Sequence, residues 1–289
     1  MENNAVVPVF NPPPIGGYIE NQNKYRYRVA RALKSGNFGT IYLGYDIFEV
    51  PYAIKVFKPS NTYEEVRAMW QEEAEKLREL FHPHIAYMHD LFEHKLAFYI
   101  VMELLGSPLS DFVKGSQVLT DDQIIEVARQ ILFGMSFIHW HQVVHRDLSL
   151  DNILFSRDGT VVKITDFGVS KHFNPFAEKQ PPEPPFQQAI ICPDLIRFGF
   201  TVPQSDLYHL GLILLALKTG RLSIDPNLSR EDINKLCNDG IPRQMAESLH
   251  CPLGDKIAIL LRRRVEFRYA SAMDAWNDLR TLIRARQFD

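Results

Sequence analysis

Asp147 and Asn152 stand five positions apart in VVHRDLSLDNILF, a charged turn between two apolar stretches at 143–155. An aspartate so placed can accept the proton of an attacking hydroxyl, and the asparagine offers a neutral oxygen to a metal ion. Further on, Asp166 follows the strand-like VVKI and supplies a hard oxygen ligand suited to Mg²⁺. Upstream, Lys55 lies inside the apolar run YAIKVF, where an ammonium is costly unless paired. Glu73, in the next amphipathic stretch, is an available partner, and the pair would hold the ammonium ready for a nucleotide's phosphates. Gly36 and Gly39 in KSGNFGTIY allow close backbone approach and positive φ, so this loop could fold over phosphates. Taken singly, each has a plainer reading: a glycine-bearing hairpin, or a lysine on the wet side of a strand. Their order along the chain is what points to phosphoryl transfer.

These residues need a scaffold, and the patterning predicts one. RYRVARAL, TIYLGYD, YAIKVF and LAFYIVMEL are short and rich in β-branched or aromatic residues, so 25–104 reads as a small β-rich domain. One helix interrupts it: TYEEVRAMWQEEAEKLREL places Val66, Met69 or Trp70, Ala74, Leu77 and Leu80 on one face. Residues 105–289 are mainly helical, with DDQIIEVARQILFGMSFIH, SDLYHLGLILLALKTG and SREDINKLC at helical period, several with an Asp or Ser placed to cap. Residues 1–24 are rich in Pro, Gly and Asn and read as a flexible tail, whose PPP run is a candidate ligand for a partner. The expected class is α+β, with a small β-rich lobe followed by a larger α-helical lobe.

Of 289 residues, 46% are apolar and 23% charged, ordinary for a globular chain, and the net charge of −3 gives no general pull toward nucleic acid or anionic membrane. The three cysteines, Cys192, Cys237 and Cys251, are too few and too scattered for a disulfide framework and suit a reducing compartment. The first residues lack a basic start followed by an apolar run, and LGLILLAL at 210–217 is too short to span a bilayer. A cytoplasmic location is expected, with the nucleus left open, and neither nucleic acid nor membrane insertion is expected.

From Tyr25 to the C-terminus the chain resembles a eukaryotic-type protein kinase. The matching segments are GxxG at 36–39, AIK ending at Lys55, EEAEKLRELFHPHI with Glu73, VMEL at 101–104, HRDLSLDN, DFG, SDLYHLG at 205–211 and Arg268. The resemblance implies ATP and Mg²⁺ as cofactors and a protein substrate. It implies that Lys55, paired with Glu73, holds the α- and β-phosphates beneath the loop of Lys34, Gly36 and Gly39. Met102 would be the gatekeeper, the Glu103 and Leu105 backbones would bond adenine, and Ile41, Ala53 and Leu154 would sandwich its ring. Asp147 would orient the acceptor hydroxyl, Asn152 and Asp166 would bind Mg²⁺, and Asp206 would tie its helix to the catalytic loop. Leu77, Met88, His145 and Phe167 would form an internal spine. His82, His84, His89 and His94 lie within thirteen residues, but HPHI takes a family position and the spacing fits no single helical face, so no metal is expected there. The arginines beside Arg268 in LRRRVEFR read as a solvated helix face.

Four departures from the pattern stand out. Lys34 replaces the first glycine of the phosphate loop. Ser149 replaces the lysine that contacts the transferring phosphoryl group, a contact worth roughly 10²–10³ in rate. Gln187 takes the place of a threonine that partners that lysine, and Cys192-Pro193-Asp194 stands for Ala-Pro-Glu. VSKHFNPFAEKQPPEPPFQQAII has Ser170 as its one hydroxyl and five prolines, so activity is expected without activation-segment phosphorylation, with Arg146 meeting Glu178 or Glu183 instead. Acidic Asp151 favours Ser/Thr over Tyr acceptors. The alternative function is a weak or inactive pseudokinase acting as a nucleotide-binding interaction module; a small-molecule phosphotransferase is opposed by DFG, HPHI and SDLYHLG.

Overall fold

The computed structural model describes residues 12–36, 39–58, 62–115, 118–173, 192–225 and 227–285. The chain divides into two compact units, Met1–Gly106 and Ser107–Asp289.

The first unit holds a six-stranded antiparallel sheet built from β1 (Tyr18–Glu20), β2 (Arg26–Ser35), β3 (Gly39–Tyr45), β4 (Pro51–Phe57), β5 (Met88–His94) and β6 (Ala97–Glu103), in the order β1-β2-β3-β4-β6-β5. Alternation along the strands separates two faces. One carries Tyr27, Val29, Tyr42, Ile54, Val56, Phe92, Tyr99 and Val101 as a buried cluster with Ile19. The register Ile41↔Lys55, Leu43↔Ala53, Ala53↔Met102 puts Ile41, Ala53, Lys55 and Met102 together on the other.

The expected tail of residues 1–24 is corrected where it is described. Tyr18–Glu20 forms the edge strand β1, paired with β2, because Ile19 is buried and Asn21 turns the chain with its side chain. Asn21 Oδ1 accepts from the Asn23 and Tyr25 amides while its Nδ2 donates to Asp90, which also accepts from Tyr27 Oη. A polar residue supplying its own turn geometry has no hydrophobic period to betray it. β5 also escaped the sequence pattern, since MHDLFEH alternates poorly.

Between β4 and β5, α1 (Tyr63–Glu79) opens with a reciprocal capping box: Glu65 N–H donates to Thr62 Oγ1 and Glu65 Oε2 accepts from Thr62 N–H. Val66, Ala74, Leu77 and Leu80 are buried as expected, Trp70 is half-buried, and its Nε1 donates to Tyr99 O at 3.0 Å. Lys76, which reads as part of the charged face, is buried and pairs with Glu72 one turn back.

The second unit contains α2 (Ser110–Lys114), α3 (Asp121–Trp140), the short strands β7 (Val143–Val144), β8 (Ile153–Phe155), β9 (Val162–Ile164) and β10 (Lys171–His172), then α4 (Pro193–Phe198) and α5 (Pro203–Thr219). α6 (Arg230–Asp239), α7 (Ile241–Glu247), α8 (Pro252–Leu260), α9 (Ala272–Leu279) and α10 (Thr281–Ala285) follow. β8 pairs with β9 and β7 with β10, both antiparallel. The cap of α3 is Thr120, one residue before the expected aspartate, in a second capping box with Gln123. Leu207, Leu210, Ile213, Leu214, Leu215 and Leu217 of α5 are all buried, so this helix is enclosed on every side and serves as the unit's axis. Gly211 lets α8 come close: a Cβ there would meet Leu260 and Leu261 at 2.9 Å. Among the described residues, no helix is long and apolar enough to cross a membrane.

Candidate functional site

In the first unit, Lys55 enters from the middle of β4 and Glu73 from the inner face of α1. Lys55 Nζ donates to both Glu73 carboxylate oxygens, at 2.6 and 2.8 Å, with side-chain exposures of 6% and 3%. Half-buried Ile41 and Ala53 share the sheet face of Lys55, and buried Met102 lies beside Ala53 on β6. Glu103 N–H is taken by Tyr87 O at 2.9 Å, and its Oε1 accepts from Tyr87 N–H at 2.8 Å. Both contacts tie Glu103, at the end of β6, to the chain entering β5. Leu105 follows β6 in irregular, half-buried chain.

Neither Gly36 nor Gly39 takes a positive φ, which corrects one expectation for the loop. Gly39 is needed for the other reason, close approach: a Cβ there would stand 2.5 Å from Val56 O on β4. Gly36 N–H closes the hairpin on Gly39 O at 2.9 Å. Lys58, unremarked in the sequence, grips the hairpin base through Ser35 Oγ at 2.9 Å and Gly36 O at 2.8 Å. Lys34 is exposed at the end of β2, opposite Ile41.

The second unit assembles the acid–amide pair. Asn152 Nδ2 donates to Asp147 O and to Asp147 Oδ2, both at 2.9 Å. Both partners are acceptors, so the amide's orientation follows, and Asn152 Oδ1 is the atom left to offer a cation. Asn152 O accepts from Thr165 N–H at 2.9 Å and from its hydroxyl at 3.1 Å, which brings the neighbouring Asp166 alongside the same loop. Asp166 has φ +62° and Arg146 φ +73°, left-handed conformations that non-glycine residues adopt at a cost when the surroundings demand it. The donor set, a carboxylate and an amide oxygen, suits Mg²⁺, which binds few protein oxygens and takes the rest from phosphate and water. Among the described residues no group of three or more His, Cys, Asp or Glu could hold a metal. Among the histidines of 82–94, His82 Nδ1 accepts from His84 N–H, and His89 packs on Tyr52 and Tyr87.

Asp206 on α5 fixes the loop from below. Its carboxylate accepts the His145 and Arg146 backbone N–H groups, each at 2.8 Å, and meets His139 Nε2 at 2.9 Å. Burial by itself raises this carboxyl, but the hydrogen bond and charge of His139, with His145 and His209 near, hold it below the ordinary carboxylate range. His145 Nδ1 accepts from Asp147 N–H at 3.3 Å, so Nε2 carries the proton it shares with Thr165 O at 3.0 Å. The imidazole packs edge-on against Phe167, 4.9 Å between centroids. Leu77 and Met88, also expected in a spine, are buried and half-buried in the first unit. Half-buried Leu154 pairs with Lys163.

Among the departures, Asp194 pairs with Arg268 despite its shorter chain, at 2.6 and 3.0 Å, and Ser205 Oγ donates to the same carboxylate. Cys192, which precedes this pair, is buried, and burial pushes its thiol up to about 12. Asp151 is engaged by Ser110 Oγ at 2.6 Å, at the start of α2. Ser149 is half-buried, and its carbonyl accepts Asn152 N–H. Gln187, Glu178 and Glu183 lie outside the described residues. The contacts of Lys58, Ser110, Ser205 and His139 were missed because each partner is distant in sequence or is a backbone atom.

A family model described as the protein kinase domain matches residues 27–263. The chain is 30% identical over 262 residues to the "Probable serine/threonine-protein kinase PknB" of Lactococcus lactis, covering 89% of this chain and 42% of that protein. It is 31% identical over 204 residues to the serine/threonine-protein kinase PrkC of Bacillus subtilis, 69% of this chain and 31% of that one. Against the CBL-interacting serine/threonine-protein kinase 1 of Arabidopsis thaliana it is 29% identical over 226 residues, 75% and 50% of the two chains. The chain thus spans half or less of the length of these relatives.

Proposed function

The chain belongs to the protein kinase family, and from that premise we propose that it transfers the γ-phosphate of ATP to a protein hydroxyl, with Mg²⁺, serine or threonine being favoured over tyrosine. The observation that carries this reading is the Lys55–Glu73 pair, withdrawn from water and bonded through both carboxylate oxygens. A buried ion pair adds little net stability, and this one lies on the sheet face shared by Ile41, Ala53 and Met102, which supports the task of holding phosphates. The same pairing is required of an active phosphotransferase of this kind.

In this mechanism Asp147 accepts the proton of the acceptor hydroxyl as its oxygen bonds to the γ-phosphorus and the bond to ADP breaks. The Asn152 amide keeps Asp147 oriented through the two contacts at 2.9 Å and turns Oδ1 toward a cation. Mg²⁺, held by Asn152 and Asp166, would neutralise charge on the phosphates. Lys55 would hold the α- and β-phosphates; Ile41 and Ala53 of the first unit and Leu154 of the second would each contact the adenine, with Met102 as gatekeeper. The preference for serine and threonine is supported by the names of the relatives and by the acidic Asp151.

The reading includes activity without a phosphorylated activation segment. The one hydroxyl in 168–190 is Ser170, which is buried and donates to Phe167 O at 2.7 Å. ATP turnover on a serine- and threonine-bearing peptide library tests both statements. Asp147→Asn is expected to lose about 10²–10⁴ of the wild-type rate, and phosphatase treatment to leave wild type unchanged. Equal background signals from wild type and Asp147→Asn would leave the nucleotide-binding module as the function.

A further inference from the structure

Arg262, Arg263 and Arg264 leave the end of α8 in succession, and Arg243 of α7 joins them around a cavity of about 520 Å³. Asp239, Gly240 and Phe267 complete its lining. The sequence suggested a solvated helix face; the fold instead gathers three consecutive arginines and a fourth from another helix around one hollow. Gly240 ends α6 with φ +72°, a conformation suited to glycine, and Arg263 Cδ lies 3.7 Å from where a Cβ would stand. The backbone beneath is anchored, because Arg262 O and Arg263 O each accept a hydrogen bond from buried Arg268.

The guanidinium heads are available. Among the described residues Arg262, Arg263 and Arg264 make no ion pair, while Arg243 meets half-exposed Glu247 at 3.4 Å. Arg262 Nη1 makes a long contact of 3.4 Å to Phe267 O, and Arg264 lies 6.0 Å from the Phe267 ring centre. Four cations therefore share a cavity whose lining includes one carboxylate, Asp239. Cations gathered this way raise one another's free energy, and a bound anion relieves it.

We propose that this hollow binds a phosphate monoester carried on a protein segment, a phosphoserine or phosphothreonine with its flanking residues. The planar guanidinium fork matches phosphate oxygens, and the ester brings about −1.5 to −2 charge. The volume falls in the range of roughly 300–1,000 Å³ typical of ligand pockets, room for more than an isolated ion. Phe267, 51% exposed, supplies an apolar wall for a flanking side chain. A hollow admits a projecting side chain, whereas a membrane surface calls for a flat or protruding basic face. None of the residues proposed for phosphoryl transfer lines the cavity, so binding here is separable from turnover.

Fluorescence anisotropy of the whole chain with a labelled phosphoserine peptide tests the site. The unphosphorylated peptide, inorganic phosphate and anionic vesicles serve as comparators. The phosphopeptide is expected to bind at least tenfold tighter than its unphosphorylated twin, with inorganic phosphate and vesicles competing poorly. Arg263→Ala/Arg264→Ala should lower that affinity at least tenfold while leaving the thermal midpoint and short-peptide turnover unchanged. Arg243→Ala, on a separate helix, should lower it independently. Equal binding of both peptides, or undiminished affinity in both variants, overturns the proposal. So does inorganic phosphate matching the phosphopeptide, which makes this a free-ion site, or displacement by vesicles, which makes it a membrane contact.

Discussion

Lys55 with Glu73 in the first unit and Arg268 with Asp194 in the second are both ion pairs withdrawn from water, yet they are built from different cations. All five N–H groups of Arg268 have partners. They donate to both Asp194 oxygens and to the carbonyls of Arg262, Arg263 and Gln204, and the guanidinium lies over the Tyr208 ring at 5.0 Å. That arrangement is saturated and joins α4, α5 and the chain after α8. Lys55 presents a compact ammonium on a flexible stem, on a sheet face shared with half-buried Ile41 and Ala53. Equal burial therefore does not separate the two pairs; the shape of the cation and the surface beside it do.

The largest expected effect falls on the saturated pair. Arg268→Ala strands the Asp194 carboxylate in the interior and should cost about 3–5 kcal/mol of stability, read as a lowered denaturant midpoint. A loss below about 1 kcal/mol would show the pair to be dispensable and erase the distinction between the two units. Lys55→Met should slow phosphotransfer by roughly 10²–10³; it strands Glu73 too, but Arg268 also holds three backbone carbonyls, so the loss of stability should be smaller than for Arg268→Ala. If the two variants lost stability equally and Lys55→Met kept its turnover, Lys55 would be structural too. The smallest effect is expected at Ser149, on the loop that Asp206 holds in place. By the family resemblance Ser149→Lys would restore one cation without its threonine partner, whose place Gln187 takes, so kcat should rise by less than about tenfold, under about 1.4 kcal/mol of barrier. A larger gain would mean that a single missing charge limits the rate.

Much of the candidate site was legible because its signals are local. Lys55 is conspicuous inside an apolar strand, and Asp147 and Asn152 are close enough in sequence for one loop to orient both. What escaped were contacts with no periodic signature. Lys58 holds the glycine hairpin through a hydroxyl and a carbonyl, Asn21 folds a turn that reads as a tail, and Lys76 is buried on a helix face that looks charged.

By itself the sequence determined the class of elements, their order and the inventory of reactive groups, because strand and helix periods and the motif residues are properties of neighbours along the chain. Only the tertiary structure decided how those groups are constrained. It turned the Asn152 amide toward Asp147, gave Gly39 a close approach in place of a left-handed turn, and closed every donor of Arg268. It also drew Arg243 and Arg262 to Arg264 around one hollow. Such outcomes depend on the path of the chain between distant positions, which packing selects and no local pattern encodes.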